Sequence, residues 1–350
     1  MRVLAITNFY PTRQNPACGT FIEQQIGSLR ALGLEVELMF LDRAHEGVAV
    51  YLGLGDKVRA RLSRFEADLV HVMYGGVMAA QVTRSVQDRP TLVSFCGSDL
   101  LGENASGAFR KVASRIGVVA SIHAARRASG IIVKSKNLLP LLPNEVKVAK
   151  IRVIPNGVDL KRFTPLDREV CRRHLGWSSD RFHVLFPANV GDPVKRPQLA
   201  RAAVEELNRR EIQTDLHALR GIKHEQVPIW LNASDVLLLT SSHEGSPNIV
   251  KEALACHVPV VSVDVGDIRE RIEAIEGCYL AEATRCDLAS KLALVFNSPR
   301  RLRDPIGIED LALDRVAMRL SDFYEELMRS WCARFVKGGR RSSDLTPVVQ

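Results

Sequence analysis

Two glutamates eight residues apart, Glu244 and Glu252, lie in the stretch of the chain whose residue types and order come nearest to building a site. It reads Asp235-Val-Leu-Leu-Leu-Thr-Ser-Ser-His-Glu-Gly-Ser-Pro-Asn-Ile-Val-Lys-Glu-Ala-Leu-Ala-Cys-His-Val-Pro259. The apolar run up to Thr240 predicts a buried strand, and Glu244 and Gly245 a polar loop. Ser246 is expected as the N-cap of a helix with Pro247 at its first position. The N–H groups near residues 246–250, together with the helix dipole, would make an anion site suited to a diphosphate, and Gly245 would let the backbone approach closely. Glu252 lies about six residues into that helix, about 9 Å along its axis, so the two carboxylates bracket the anion site. A carboxylate that accepts from vicinal hydroxyls is the usual way to hold a ribose; the second would face hydroxyls attached at the other end. Either glutamate alone reads more simply as part of a surface helix with an acidic cap. The full order of strand, Glu-Gly-Ser-Pro, helix and Glu favours a ligand.

Short β-branched runs alternate with helical stretches along almost the whole chain, the pattern of parallel sheets with crossover helices. Strands are expected at 3–7, 36–41, 68–73, 91–95, 130–134 and 151–154, then at 183–187, 215–219, 235–239, 258–263 and 277–280. Helices are expected near 196–209, 247–255 and 286–296. Pro155-Asn-Gly-Val-Asp-Leu-Lys-Arg-Phe-Thr-Pro165 breaks both periods. The expectation is two doubly wound α/β domains, 1–160 and 161–310, followed by an amphipathic helix over 311–336 and a polar, disordered tail over 337–350. Such domains leave a cleft between them, and open parallel sheets bind ligands beyond the carboxyl ends of their strands.

Composition removes several classes. With 350 residues, 46% apolar and 25% charged, the chain is neither disordered nor, lacking any long apolar run, an integral membrane protein. The N-terminus is apolar for only five residues before Asn8, too few for a signal-peptide core. Seven cysteines without ligand-spaced histidines indicate neither a disulfide framework nor a zinc site, and a reducing cytoplasm fits best. The turn after the first strand reads Asn8-Phe-Tyr-Pro-Thr-Arg13 instead of a glycine-rich dinucleotide fingerprint; P-loop and nucleophile-elbow patterns are missing too. No metal and no other cofactor is expected. The net charge of +8 is concentrated in residues 101–150, where nine Lys/Arg face Glu103 and Glu145. That segment reads either as a solvated helix face or as a surface for anionic lipid or a phosphorylated substrate; no recognisable module supports nucleic-acid binding.

With these residues in place the chain resembles the retaining glycosyltransferases of family 4, enzymes of the GT-B fold with two Rossmann-like domains facing across a cleft. Glu244 and Glu252 meet the family's Glu-x7-Glu spacing, and Glu252-Ala-Leu-Ala-Cys-His-Val-Pro-Val-Val261 is similar to its Glu-Ala-Met-Ala-x-Gly-x-Pro-Val-Val. Asp264-Val-Gly-Asp-Ile-Arg-Glu270, Ile154-Pro-Asn-Gly-Val-Asp159 and Asp68-Leu-Val-His71 extend the likeness over about residues 1–330. The resemblance implies that Glu252 binds the nucleotide ribose and Glu244 the donor-sugar hydroxyls. The backbone at Gly245, Ser246, Pro247, Asn248, Ile249 and Val250 would hold the diphosphate. Lys195 matches the family lysine that neutralises it; the arginine expected six residues earlier is Asn189 here, a charge that Arg196 is expected to replace. Gly19 and Thr20 match the glycine-containing loop after the first strand. Cys96-Gly97 stands where family members have His-Gly near the donor sugar, and Cys96 reads equally as an inert thiol. Asp99 either reaches the acceptor or caps a helix. The C-terminal helix is expected to cross back to the first domain.

The implied activity is metal-independent, retaining transfer of a hexosyl or N-acetylhexosaminyl group from a nucleotide-diphosphate sugar, with UDP favoured. The acceptor would be a hydroxyl of a glycan or lipid-linked precursor of cell-envelope polysaccharide, and a peripheral contact with an anionic inner membrane face is expected. The alternatives are a nucleotide-sugar epimerase on the same fold and a non-catalytic sugar-nucleotide-binding module.

Overall fold

The computed structural model describes residues 1–16, 18–102, 107–187, 193–297, 301–303, 305 and 307–337. The first half comprises β1 (Arg2–Thr7), α1 (Thr20–Ala31), β2 (Glu35–Phe40), α2 (Arg43–Glu46), α3 (Leu54–Phe65), β3 (Leu69–Val72) and α4 (Gly76–Ser85). It continues through β4 (Thr91–Phe95), α5 (Ser98–Leu101), α6 (Ala108–Arg127), β5 (Gly130–Val133) and β6 (Ile151–Val153). The second half comprises α7 (Arg168–Leu175), β7 (Phe182–Phe186), α8 (Pro197–Arg209), β8 (Thr214–Ala218), α9 (Val227–Ala233) and β9 (Val236–Leu239). Then come α10 (Asn248–Ala255), β10 (Val260–Val263), α11 (Ile268–Ile272), β11 (Tyr279–Ala281), α12 (Arg285–Asn297) and α13 (Leu313–Lys337). Every expected strand is present, displaced at either end by two residues at most.

All pairings within the two sheets are parallel. The six-stranded sheet has the order β2-β1-β3-β4-β5-β6 and the five-stranded sheet β11-β10-β9-β7-β8. Helices cover both faces of each sheet, so central strands such as Val236-Leu-Leu-Leu239 are buried on both sides and carry unbroken apolar runs. The chain reverses its winding direction between β1 and β3 in the first sheet and between β7 and β9 in the second. The loops leaving these strands diverge there and open the crevices in which such folds bind ligands.

Helix α13 returns to the first domain as expected. Val316, Ala317, Leu320, Phe323, Tyr324 and Leu327 recur at helical spacing and pack with Ile22, Ile26 and Leu29 of α1 over β1, β3 and β5. Gly130 permits this: a Cβ there would stand 2.6 Å from Leu327 Cδ1. The dock has one buried polar element. His71 of β3 is fully buried, with Nδ1 2.7 Å from Tyr324 Oη and Nε2 2.8 Å from Ser94 Oγ. Burial pulls its pKa down to about 3, so the ring is neutral. The expected tail over 337–350 lies outside the described residues apart from Lys337.

Candidate active site

The loops at the β7/β9 crevice carry the expected donor-binding residues. Lys195 follows β7 and Glu244 follows β9; Lys195 Nζ stands 2.5 Å from Glu244 Oε1, and both side chains are mostly buried. Arg196 has a left-handed backbone, φ 50°, just ahead of α8. Its Nε and Nη2 donate to the carbonyls of Thr240 and Ser241 at 2.5 and 2.9 Å. The guanidinium thus ties the two crevice loops together. Asn189 lies outside the described residues.

Helix α10 begins one residue later than expected, at Asn248, with Pro247 at the N-cap. Ser246 does not cap it because its hydroxyl donates to the buried carboxylate of Asp267 at 2.8 Å, a partner 21 residues away. Pro247 has no N–H to offer, and the Val250 N–H donates to the Pro247 carbonyl at 3.3 Å. The N–H groups of Gly245, Ser246, Asn248 and Ile249 remain at this end of the helix, where the dipole favours an anion. Glu252 lies on the same helix, 7% exposed, with Oε1 2.9 Å from His224 Nε2. The ring of His224 packs on Phe163.

Two buried lysines and His224 escaped the sequence reading. Lys251 is fully buried, and Nζ donates to the Asn156 carbonyl at 3.0 Å and to Ser246 Oγ at 3.2 Å. Ser246 passes this chain on to Asp267, and burial pulls the Lys251 pKa down to about 7. Lys134, at the carboxyl end of β5, is buried with Nζ 3.5 Å from Gln25 Oε1; burial lowers its pKa, while Cys96 and Asp99 nearby oppose the shift. The sequence signals were the lysine adjoining Glu252 and the lysine ending an apolar strand, both easily taken for surface charge.

The first domain brings its own loops to the cleft. Gly19, at φ 69°, precedes Thr20 at the start of α1, and a Cβ on it would stand 2.5 Å from the Phe9 carbonyl carbon. Asp99 is buried and accepts from the backbone N–H groups of Gly75, Cys96 and Gly97 at 2.9, 3.0 and 2.8 Å. It therefore shapes the turn after β4 and does not cap α5. Burial raises its pKa against the pull of those three donors. Burial also pushes the Cys96 thiol up to about 12, far from a reactive thiolate.

The two domains meet where these loops converge. A Cβ at Gly245 would overlap the Cys96 carbonyl oxygen, and one at Gly97 would stand 3.1 Å from the Gly245 nitrogen. Asn137 Nδ2 donates to the Glu244 carbonyl at 3.4 Å, and Asn156 Nδ2 to Asn248 Oδ1 at 3.3 Å. The carboxyl edges of both sheets thus face one another across Glu244, Gly245 and Gly97. Basic, acidic and backbone N–H groups converge there, suiting a polar ligand with a diphosphate and several hydroxyls.

The chain is similar to known proteins in sequence and fold. Residues 20–162 match the family model "Glycosyltransferase Family 4", and residues 188–297 match "Glycosyl transferases group 1". TuaC of Bacillus subtilis (strain 168), a glycosyltransferase named for teichuronic acid biosynthesis, is 24% identical over 333 residues, covering 77% of this chain and 82% of its own. The D-inositol 3-phosphate glycosyltransferase of Paenarthrobacter aurescens (strain TC1) is 30% identical over 152 residues, covering 35% of this chain and 37% of its own. The structure of sucrose-phosphate synthase from Thermosynechococcus elongatus superposes with a TM-score of 0.76 at 16% identity, covering 94% of this chain and all of that one. Anabaena HepE in complex with UDP and glucose gives 0.66 at 16% identity, covering 93% of this chain and all of that one. The chain has the GT-B fold and belongs to the family 4 glycosyltransferases, glycosyl transferases group 1.

Proposed function

We propose that this glycosyltransferase moves a hexosyl or N-acetylhexosaminyl group from a nucleotide-diphosphate sugar, UDP favoured, to a hydroxyl of a glycan or lipid-linked acceptor, with retention at the anomeric carbon. The observation that carries the reading is the convergence of Lys195, Glu244, the α10 N-terminus and Glu252 at the β7/β9 switch point, against Gly97 of the other domain. Glu252, oriented by His224, accepts from the ribose hydroxyls. Glu244 turns from Lys195 to the donor sugar as Lys195 turns to the diphosphate. The acceptor hydroxyl attacks the anomeric carbon on the face that the diphosphate leaves, and its proton passes to the departing phosphate oxygen. The N–H groups of α10 and Lys195 stabilise the negative charge that develops, which requires neither a protein nucleophile nor a metal.

The names of similar proteins support the finer choices. HepE has been captured with UDP and with UDP-glucose, which favours UDP, and the TuaC name favours a cell-envelope acceptor. A thermal-shift screen with UDP, GDP, ADP and their sugar conjugates, with and without EDTA, tests the donor class. A ligand at 100 times its Kd should add about 2.7 kcal/mol of stability. A shift with UDP and UDP-sugars that survives EDTA is expected; no shift with any nucleotide overturns the reading. NMR of the glycoside formed then reports its anomeric configuration.

We also place the first domain against an anionic membrane surface on the cytoplasmic side. Among the described residues no helix is long and apolar enough to cross a membrane. Helix α6 nevertheless presents Val112, Ile116 and Val119 to solvent, each more than half exposed, in one stripe beside Lys111 and Arg115. An apolar stripe with a basic border suits an interfacial helix. Flotation with anionic vesicles should carry the protein upward and flotation with neutral vesicles should not; no flotation with either removes the proposal.

A further inference from the structure

The histidines of the second domain lack metal-ligand spacing in the sequence, yet strand register gathers two of them with a carboxylate. In β7 and β8, His183 lies opposite Asp215, and His217 opposite Leu185. Parallel pairing directs the three side chains to one face, and their ligating atoms all lie within 4.8 Å of one another. His183 Nδ1 stands 2.9 Å from His217 Nε2. The other ring nitrogen of His183, Nε2, lies 2.7 Å from the Ser178 carbonyl oxygen, which can only accept. That bond puts the proton of a neutral ring on Nε2 and leaves a lone pair on Nδ1, aimed at His217. A backbone carbonyl that fixes the free nitrogen of a ligating imidazole is the usual second support of a metal-bound histidine.

We propose that His183, Asp215 and His217 form a binding site for a divalent cation of the zinc class, with two imidazoles and one carboxylate as ligands and a fourth position for water. Nitrogen and oxygen donors in this number suit Zn2+ or Co2+ better than Mg2+ or Ca2+. Tetrahedral ligation places two zinc-bound nitrogens about 3.4 Å apart, so the histidine pair needs to open by about half an ångström. The proton that His217 shares through Nε2 moves to its own Nδ1 as the metal takes its place. Arg181 Nε holds Asp215 Oδ2 at 2.9 Å, which favours a single carboxylate oxygen on the ion. Strand β8 is a sheet edge, and Trp177 stacks on His217 with ring centroids 3.6 Å apart. A metal here would pin the edge strand and the Trp177–Ser178 loop to β7. The site lies away from the donor crevice and serves the domain's stability, independently of glycosyl transfer.

The test uses the untagged full chain after chelator treatment, titrated with Zn2+ and separately with Co2+. Wild type should take up one equivalent of zinc with a rise in Tm, show the visible absorption of four-coordinate Co2+, and lose tryptophan fluorescence to Co2+ through Trp177. His217→Gln and the near-isosteric Asp215→Asn should each bind at least tenfold more weakly while keeping the wild-type circular dichroism. Zinc uptake no greater in wild type than in the two variants, or cobalt binding with unchanged tryptophan emission, overturns the proposal and leaves a plain histidine–histidine hydrogen bond.

Discussion

Lys195 Nζ and Glu244 Oε1 stand 2.5 Å apart, so the cation matched to the donor diphosphate and the carboxylate matched to the donor sugar neutralise each other in the free enzyme. In the proposed function donor binding divides them, Lys195 turning to the diphosphate and Glu244 to the sugar. Lys195→Ala should therefore lower kcat by about 10²- to 10³-fold, the usual cost of removing one preorganised group that stabilises developing negative charge. Stability should fall by less than turnover does, by about 1–2 kcal/mol, because the mostly buried Glu244 carboxylate loses its cation but still faces the cleft. Steady-state kinetics beside a melting curve check both, and wild-type turnover in this variant would sink the assignment.

Glu252 depends on His224, whose Nε2 holds one of its carboxylate oxygens at 2.9 Å. His224→Ala should weaken UDP binding about tenfold, equivalent to about 1.4 kcal/mol, and Glu252→Ala more strongly, because it removes the carboxylate proposed to hold the ribose. Isothermal titration with UDP reads both. Equal affinity in wild type and Glu252→Ala would show that the ribose lies elsewhere.

The fold was legible because parallel strands buried on both faces must be continuous apolar runs, as in Val236-Leu-Leu-Leu239, and because α13 keeps its apolar stripe from Val316 to Leu327. The site was legible only as far as local order reaches. Ser246 reads as an N-cap until Asp267 offers its hydroxyl a carboxylate from another loop. Asp99 reads as a helix cap until the N–H groups of Gly75, Cys96 and Gly97 converge on it. His257 stands where the family pattern has glycine, and it still takes the left-handed conformation, φ 57°, that the pattern implies. His224, Lys134 and Lys251 were missed for one reason: each acquires its role from a partner in another element, and no spacing in the sequence records that partner.

Acid should destabilise the dock of α13 through His71. Its folded pKa is about 3 and an unfolded histidine titrates near 6.5, so between these values the unfolded chain binds the extra proton. Stability is full above about pH 6.5 and falls by up to about 1.4 kcal/mol per pH unit as the pH drops toward 3. His217, with its pKa lowered to about 4, pulls in the same direction. The difference between wild type and His71→Gln isolates the first contribution: urea midpoints should converge as the pH falls from 7 to 5. Parallel curves would mean that His71 takes up its proton as readily in the fold as in the unfolded chain.

Gly245 should separate binding from turnover. A methyl group there overlaps the Cys96 carbonyl oxygen of the opposite domain, so Gly245→Ala must push the two carboxyl edges apart. The Glu252–His224 pair, proposed to hold the ribose, belongs wholly to the second domain and is untouched. The Gly245 N–H is one of several at the anion site, so UDP affinity is expected to fall by about threefold at most, under about 0.7 kcal/mol. Turnover should fall by at least about tenfold, because an acceptor brought by the first domain would no longer meet the anomeric carbon at reacting distance. Parallel measurements of UDP affinity and kcat decide the matter. If both fall together by the same factor, the loss lies in the Gly245 N–H at the diphosphate and not in the spacing of the two domains; if neither changes, the contact with Cys96 is not part of the reacting state.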